Sequence, residues 1–246
     1  MEYKPLNEGL FERTLKEIYD SGKREIAVIA HATSLCDYVS PEKDKIYRDN
    51  NRIFLQECKK RGIPIIHFVS DNYVPMPVDC LGKIYMFLAD GSGCPERCSK
   101  KCNEKPLEME SVFGLKADYE IPSFYNIGIP VDTKLWDKYT ELKSIYNIYL
   151  PHSDFVFKRA IVTGRSTNRC HFVASEIIAP HTNELVVIPE CTINKYGKEI
   201  DTEKYSEIAT ESLKFPSFMS MKDFLAENTK ELFEEPLCPE ERTNNR

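Results

Sequence analysis

Four short, almost continuous apolar runs constrain the fold of this chain more than any other feature. They are EIAVIAHA (25–32), IPIIHFVS (63–70), FVFKRAIVTG (155–164) and ELVVIPE (184–190). Runs of this length, rich in β-branched residues and without polar alternation, suit strands buried on both faces. Around them lie stripes at helical spacing. The spacing predicts a helix over Leu6–Tyr19, on Leu10, Phe11, Leu15 and Ile18, and another over Glu42–Arg61, on Tyr47, Phe54, Leu55 and Cys58. Gly62 supplies a stop signal for the second. Leu135, Tyr139, Leu142, Tyr146 and Tyr149 mark a further helix. Cys170–Ala179 is another, and Tyr205, Ile208, Ala209 and Leu213 mark one more. Ser220 and Asp223 form a capping-box-like start for a last short helix, to about Glu227. Strands separated by amphipathic helices imply an α/β fold with a mostly parallel sheet covered on both faces. Right-handed crossovers then leave ligand sites at the carboxyl edge of the strands.

At 246 residues the chain suits a single domain, 1–246. The stretch from about 71 to 131 breaks the alternation. It holds MPVDC, ADGSGCPERCSKKC and EIPSFYNIGIP, with a short strand expected at KIYMFLA (83–89). It lacks the periodic apolar segments of an independent core, so it reads as an irregular, cysteine-containing insertion or lid. The net charge of −6 argues against a nucleic-acid or anionic-membrane partner, which would call for a basic face. No apolar run approaches the roughly 18 residues of a membrane span. The N-terminal MEYKPLNEGL has no leader pattern. The expectation is a cytoplasmic protein with reduced thiols. Nine cysteines, an odd number, leave at least one outside any intramolecular pair.

Cys170 stands apart from the other eight. In GRSTNRCHF (164–172) a strand ends at Gly164 and a helix opens at Cys170, which puts the thiol at the carboxyl edge of the sheet. Unpaired N–H groups and the positive dipole end of a helix favour thiolate, the nucleophilic form. The same N–H groups suit an oxyanion. Arg165 and Arg169 flank the thiol in sequence and are expected to favour thiolate further. The alternative is a small apolar residue filling space at a helix start.

The pattern G-x-S-T-x-x-C at Gly164–Cys170 resembles the cysteine-bearing motif of the isochorismatase-like, or cysteine hydrolase, superfamily. VASEIIAPHTNELVVIPECT (173–192) and KYSEIATESLKFPSFMSMKDFLAE continue in that manner, as do DTKLWDKYTELKSI (132–145) and Lys43–Ser70 upstream. The resemblance implies a three-layer α/β/α sandwich, usually oligomeric, with an aspartate, a lysine and a cysteine as catalytic groups. It implies attack of Cys170 on a carbonyl carbon and release of the acyl group by water. It also implies a cis peptide near Arg165–Ser166. Arg165, Ser166 and Thr167 are candidates for contacting the substrate or oxyanion. The aspartate position at the end of the first strand holds Ala30 or His31, so His31 and the later Asp37 are the candidate proton acceptors. Lys134 is the candidate lysine. The Asp-x-His pattern of the family's metal-binding amidases is incomplete at Asp71-Asn-Tyr, so no metal and no cofactor are expected.

Cys94, Cys98 and Cys102, with Cys80 upstream, have a spacing looser than the usual zinc pattern, and a metal-binding role for this insertion is one alternative. Phe124 and Tyr125 are candidates for lining a pocket. His67, inside an apolar run, is expected to be a satisfied core histidine. The leading expectation is a hydrolase cleaving a C–N or related bond of a small molecule through Cys170, in a homo-oligomer. The rival is a catalytically impaired relative kept for binding or assembly.

Overall fold

The computed structural model describes residues 10–33, 39–71, 76–80, 83–87, 108–124, 155–165, 170–193 and 216–231. In chain order the elements are α1 (Leu10–Asp20), β1 (Glu25–Ala30), α2 (Pro41–Arg61), β2 (Ile65–Asp71), β3 (Met76–Cys80), β4 (Lys83–Phe87), α3 (Met109–Phe113), β5 (Tyr119–Phe124), β6 (Phe157–Arg165), α4 (Cys170–Ile178), β7 (Thr182–Ile193), β8 (Ser217–Phe218) and α5 (Met221–Glu231). Six strands form one sheet in the order β5-β2-β1-β6-β7-β8, and every neighbouring pair is parallel. β3 and β4 pair antiparallel as a separate hairpin.

Strand alternation sorts the core into two layers. Ile26, Val28 and Ala30 of β1, with Ile66, Phe68, Ala160 and Val162, pack against Phe11, Leu15 and Ile18 of α1 and Val173, Ala174 and Ile177 of α4. Ala27 and Ile29, with Ile65, Ile161 and Val186, pack against Tyr47, Phe54 and Leu55 of α2, Val112 and Phe113 of α3, and Phe224 of α5. The result is a three-layer α/β/α sandwich around a parallel sheet, as the continuous apolar runs require.

The helix boundaries follow local chemistry. Ser40 caps α2 by accepting from the Lys43 N–H, and Pro41 occupies the first turn, where a missing donor costs little. Gly62 ends the helix in the left-handed region (φ 64°), its N–H returning to the last carbonyls. Ser220 Oγ accepts from the Asp223 N–H at 3.1 Å and opens α5, which runs to Glu231 rather than Glu227.

The sheet draws its edge strand from inside the stretch that the sequence pattern reads as irregular. β5 pairs with β2 from Ile66↔Tyr119 to Asp71↔Phe124. Asp118 fixes its start by accepting from the Ile65 N–H (2.8 Å) and pairing with Lys59. No helix among the described residues is long and apolar enough to cross a membrane.

Candidate active site

β1 and β6 are neighbours whose ends lie level, with Ala30 opposite Gly164. Gly164 has φ 122°, and a Cβ there would stand 2.2 Å from the Ala30 carbonyl oxygen. No other residue type permits this approach. β7 accommodates it with a bulge: Val162 pairs with Val187, but Gly164 pairs with Thr192. Asn50 Nδ2 donates to the Glu190 carbonyl (2.9 Å) and Asn51 Nδ2 to the Cys191 carbonyl (3.1 Å), so α2 holds the displaced chain.

Cys170 is the first residue of α4, just past the end of β6, and is 3% exposed. It therefore stands where the sequence places it, at the carboxyl edge of the sheet. Two other described cysteines, Cys58 and Cys191, are also buried thiols. Burial pushes both thiols well above the usual range.

His31 follows β1 directly. Its backbone adopts φ 48°, unusual for a residue with a side chain, and its N–H donates to the Phe68 carbonyl at 3.0 Å. The strand thus stops at Ala30, short of the expected His31-Ala32. The imidazole is buried, with Nε2 at 2.7 Å from Ser123 Oγ of β5. Ser123 Oγ in turn donates to the Val69 carbonyl at 2.9 Å. Ser123 has the strand parity of Tyr119 and Ile121, which pack with the α1/α4 cluster, the layer that contains Cys170's helix. Burial, with His67 nearby, pushes the His31 pKa down to about 3, so the ring is neutral at pH 7.

His67 departs from expectation. It is 1% exposed, yet neither ring nitrogen has a hydrogen-bond partner among the described residues. Glu120 Oε1 is 3.9 Å from Nδ1, too far for a bond. Burial lowers the proton affinity of this ring also, against the opposing pull of Glu120.

Arg165 requires a correction. The alternation that sends Ala160 and Val162 toward α4 sends Ile161 and Arg165 toward α2. There its guanidinium pairs with Asp44, donates to the Ala32 carbonyl at 3.2 Å and lies 4.7 Å from the Tyr47 ring centre. It joins α2 to the sheet instead of flanking the thiol. Ser123 was missed in the sequence because a serine within YEIPSF carries no motif. Its importance comes only from the pairing of β5 with β2.

Asp37, Lys134, Tyr125, Ser166, Thr167 and Arg169 lie outside the described residues, as do the Arg165–Ser166 peptide and Cys94, Cys98 and Cys102. Phe124 ends β5 at the same carboxyl edge. Among the described residues no group of three His, Cys, Asp or Glu could hold a metal ion.

No protein-family model and no curated protein matches the chain. Solved structures do. N-carbamoylsarcosine amidase from Thermoplasma acidophilum is similar at 10% identity and TM-score 0.46, over 81% of this chain and 96% of that one. An isochorismatase family protein from Desulfovibrio vulgaris subsp. vulgaris str. Hildenborough is similar at 9% identity and TM-score 0.46, over 85% and 99%. One from Burkholderia thailandensis is similar at 12% identity and TM-score 0.43, over 81% and 92%.

Proposed function

We propose that this protein is a hydrolase of the cysteine-hydrolase type, cleaving a C–N (amide-type) bond of a small molecule through Cys170. The observation that carries this reading is the level ending of β1 and β6. It supports the reading because His31 follows the end of β1 at the edge where β6 also ends, and parallel α/β sheets bind ligands at that edge. The G-x-S-T-x-x-C pattern fits the same place.

In this reading Cys170 Sγ attacks the carbonyl carbon as its proton passes to the His31 imidazole. The carbonyl electron pair moves to oxygen, which backbone N–H groups at the start of α4 receive. Collapse of the adduct breaks the C–N bond, and the leaving amine takes the proton back from His31. Water then opens the thioester and restores the thiol. A ring with a pKa of about 3 holds that proton only in passing. A resting thiolate–imidazolium pair is therefore disfavoured. Lys134 and Asp37 are the further candidates for stabilising charge or taking the proton, and Phe124, Tyr125, Ser166 and Thr167 for contacting substrate.

Iodoacetamide labelling with peptide mapping tests the nucleophile, with Cys58 and Cys191 as buried internal controls. Cys170 is expected to alkylate at least about tenfold faster than either, because it opens a helix, whereas burial pushes the other two thiols up. Equal rates at the three thiols would remove the basis for catalysis by Cys170.

A further inference from the structure

The reading of His31 as proton acceptor leaves open which ring nitrogen does the work. The two nitrogens are distinct, and the bond made by one sets the state of the other. His31 Nε2 lies 2.7 Å from Ser123 Oγ, and Ser123 Oγ lies 2.9 Å from the Val69 carbonyl oxygen. A serine hydroxyl has one hydrogen to give, while a carbonyl oxygen can only accept. If that hydrogen went to Nε2, two acceptor oxygens would face each other at 2.9 Å in a dry site with nothing between them. If Nε2–H donates to Oγ and Oγ–H donates to Val69, both contacts carry a hydrogen. Ser123 is 0% exposed and His31 4%, so bulk water is not available as a substitute partner.

We infer that Ser123 is a positioning residue that locks His31 in its Nε2–H tautomer, leaving Nδ1 as the ring atom that exchanges a proton. The assignment rests on the proposed function only for the identity of that proton's donor. The backbone serves the same end. The His31 N–H is tied to the Phe68 carbonyl at 3.0 Å, and φ 48° turns the residue out of the β1 line. β2, beside β1, thus anchors His31 through its main chain, while β5, the edge strand beyond β2, anchors it through its ring. A strained backbone conformation persists only where several contacts determine it together. The relay also explains a serine in the interior of an edge strand whose neighbours on that face are Tyr119 and Ile121.

Long-range 1H–15N correlation on full-length protein labelled at histidine tests the tautomer. The His31 signals are identified by their loss in His31→Asn. In the wild type at pH 7, Nε2 is expected in the protonated range and Nδ1 in the lone-pair range. The reverse pattern overturns the inference, and this measurement needs no variant at Ser123. In Ser123→Ala the two signals should move toward an average, and Ser123→Thr should restore the wild-type pattern. An unchanged pattern in folded Ser123→Ala overturns the inference.

Alkylation of Cys170 supplies the functional arm. Ser123→Ala should slow it roughly tenfold, less than the hundredfold or more that general-base help can contribute. Combined with His31→Ala, it should add nothing further. A full additional loss in the double variant means that Ser123 does not act through His31. The two failures are separable. An Nε2–H tautomer with an inert Cys170 sinks the hydrolase reading alone, and an Nδ1–H tautomer with a reactive Cys170 sinks the Ser123 assignment alone.

Discussion

Gly164 sets the distance between the two strands that carry the candidate chemistry. Replacing it with alanine brings a methyl group against the Ala30 backbone, which has nowhere to go in the middle of a sheet. Gly164→Ala is expected to lower stability by about 3–5 kcal/mol, or roughly 10 °C in Tm for a chain of this size. A shift of under a few degrees on thermal unfolding would mean that β1 and β6 do not meet as described. Arg165 makes a different prediction. Its guanidinium is committed to Asp44, the Ala32 carbonyl and the Tyr47 ring, on the side of the sheet away from α4. Arg165→Met removes a buried charge and leaves its partner Asp44, 22% exposed, beside Arg48, and should cost about 1–3 kcal/mol. Cys170 alkylation in this variant should stay within about twofold of wild type, a factor worth only about 0.4 kcal/mol in barrier height. A large loss would return Arg165 to the neighbourhood of the thiol. Cys170 itself was legible in the sequence because strand, turn and helix start all fall within nine residues. The side to which Arg165 points was not, because alternation cannot tell which helix covers which face.

The central strands were readable because burial on both faces leaves them nearly uniformly apolar. Helix ends were readable wherever a cap residue carries the chemistry, as at Ser40, Gly62 and Ser220. β5 was not. YEIPSF contains a proline, which an edge strand tolerates, and Glu120, which is exposed, so the segment lacks the pattern that marked its neighbours. Its place in the sheet comes from long-range pairing, which no local window contains. α5 shows how a short helix is held at the far end of the chain. Phe224 is fully buried, 5.2 Å from the Phe54 ring centre, with the Arg61 guanidinium over its other side at 4.2 Å. Glu227 bonds Arg159 at 2.7 Å and approaches Arg61 at 3.3 Å. Phe224→Ala is expected to cost about 3–5 kcal/mol by opening a cavity between α2 and α5. Glu227→Ala should cost only about 1 kcal/mol, because its carboxylate is one-third exposed and Arg159 keeps Glu25. Urea unfolding midpoints of the two variants check the ordering. If Glu227→Ala proves the more damaging, the ion pairs rather than the apolar contact hold the helix.

Across the whole molecule, four histidines among the described residues are buried: His31, His67, His171 and His181. Burial pushes the pKa of His31 down to about 3 and those of His171 and His181 down to about 4, from 6.5 in the unfolded chain. Between pH 6.5 and 4 the unfolded chain therefore binds protons that the folded chain refuses. Stability is fully present above pH 6.5, is lost as pH falls through this window, and levels off below about pH 3–4. Each such histidine contributes a slope of about 1 kcal/mol per pH unit, so a fall from pH 6.5 to 5 should remove several kcal/mol. Urea midpoints measured over that range should drop steeply; a flat profile would mean that the native histidines titrate normally. The proposed chemistry likewise depends on the assembled sheet, since β1 and β6 bring His31 and the start of α4 to one edge. The most direct test follows amine or ammonia release from a panel of small amides and N-carbamoyl compounds by the wild type and by Cys170→Ser, with rapid-quench mass analysis. Cleavage of at least one class is expected, with an acyl adduct on the Cys170 peptide and a loss of at least about a hundredfold in Cys170→Ser. Cleavage that survives Cys170→Ser, or that proceeds with no adduct on Cys170, would contradict it.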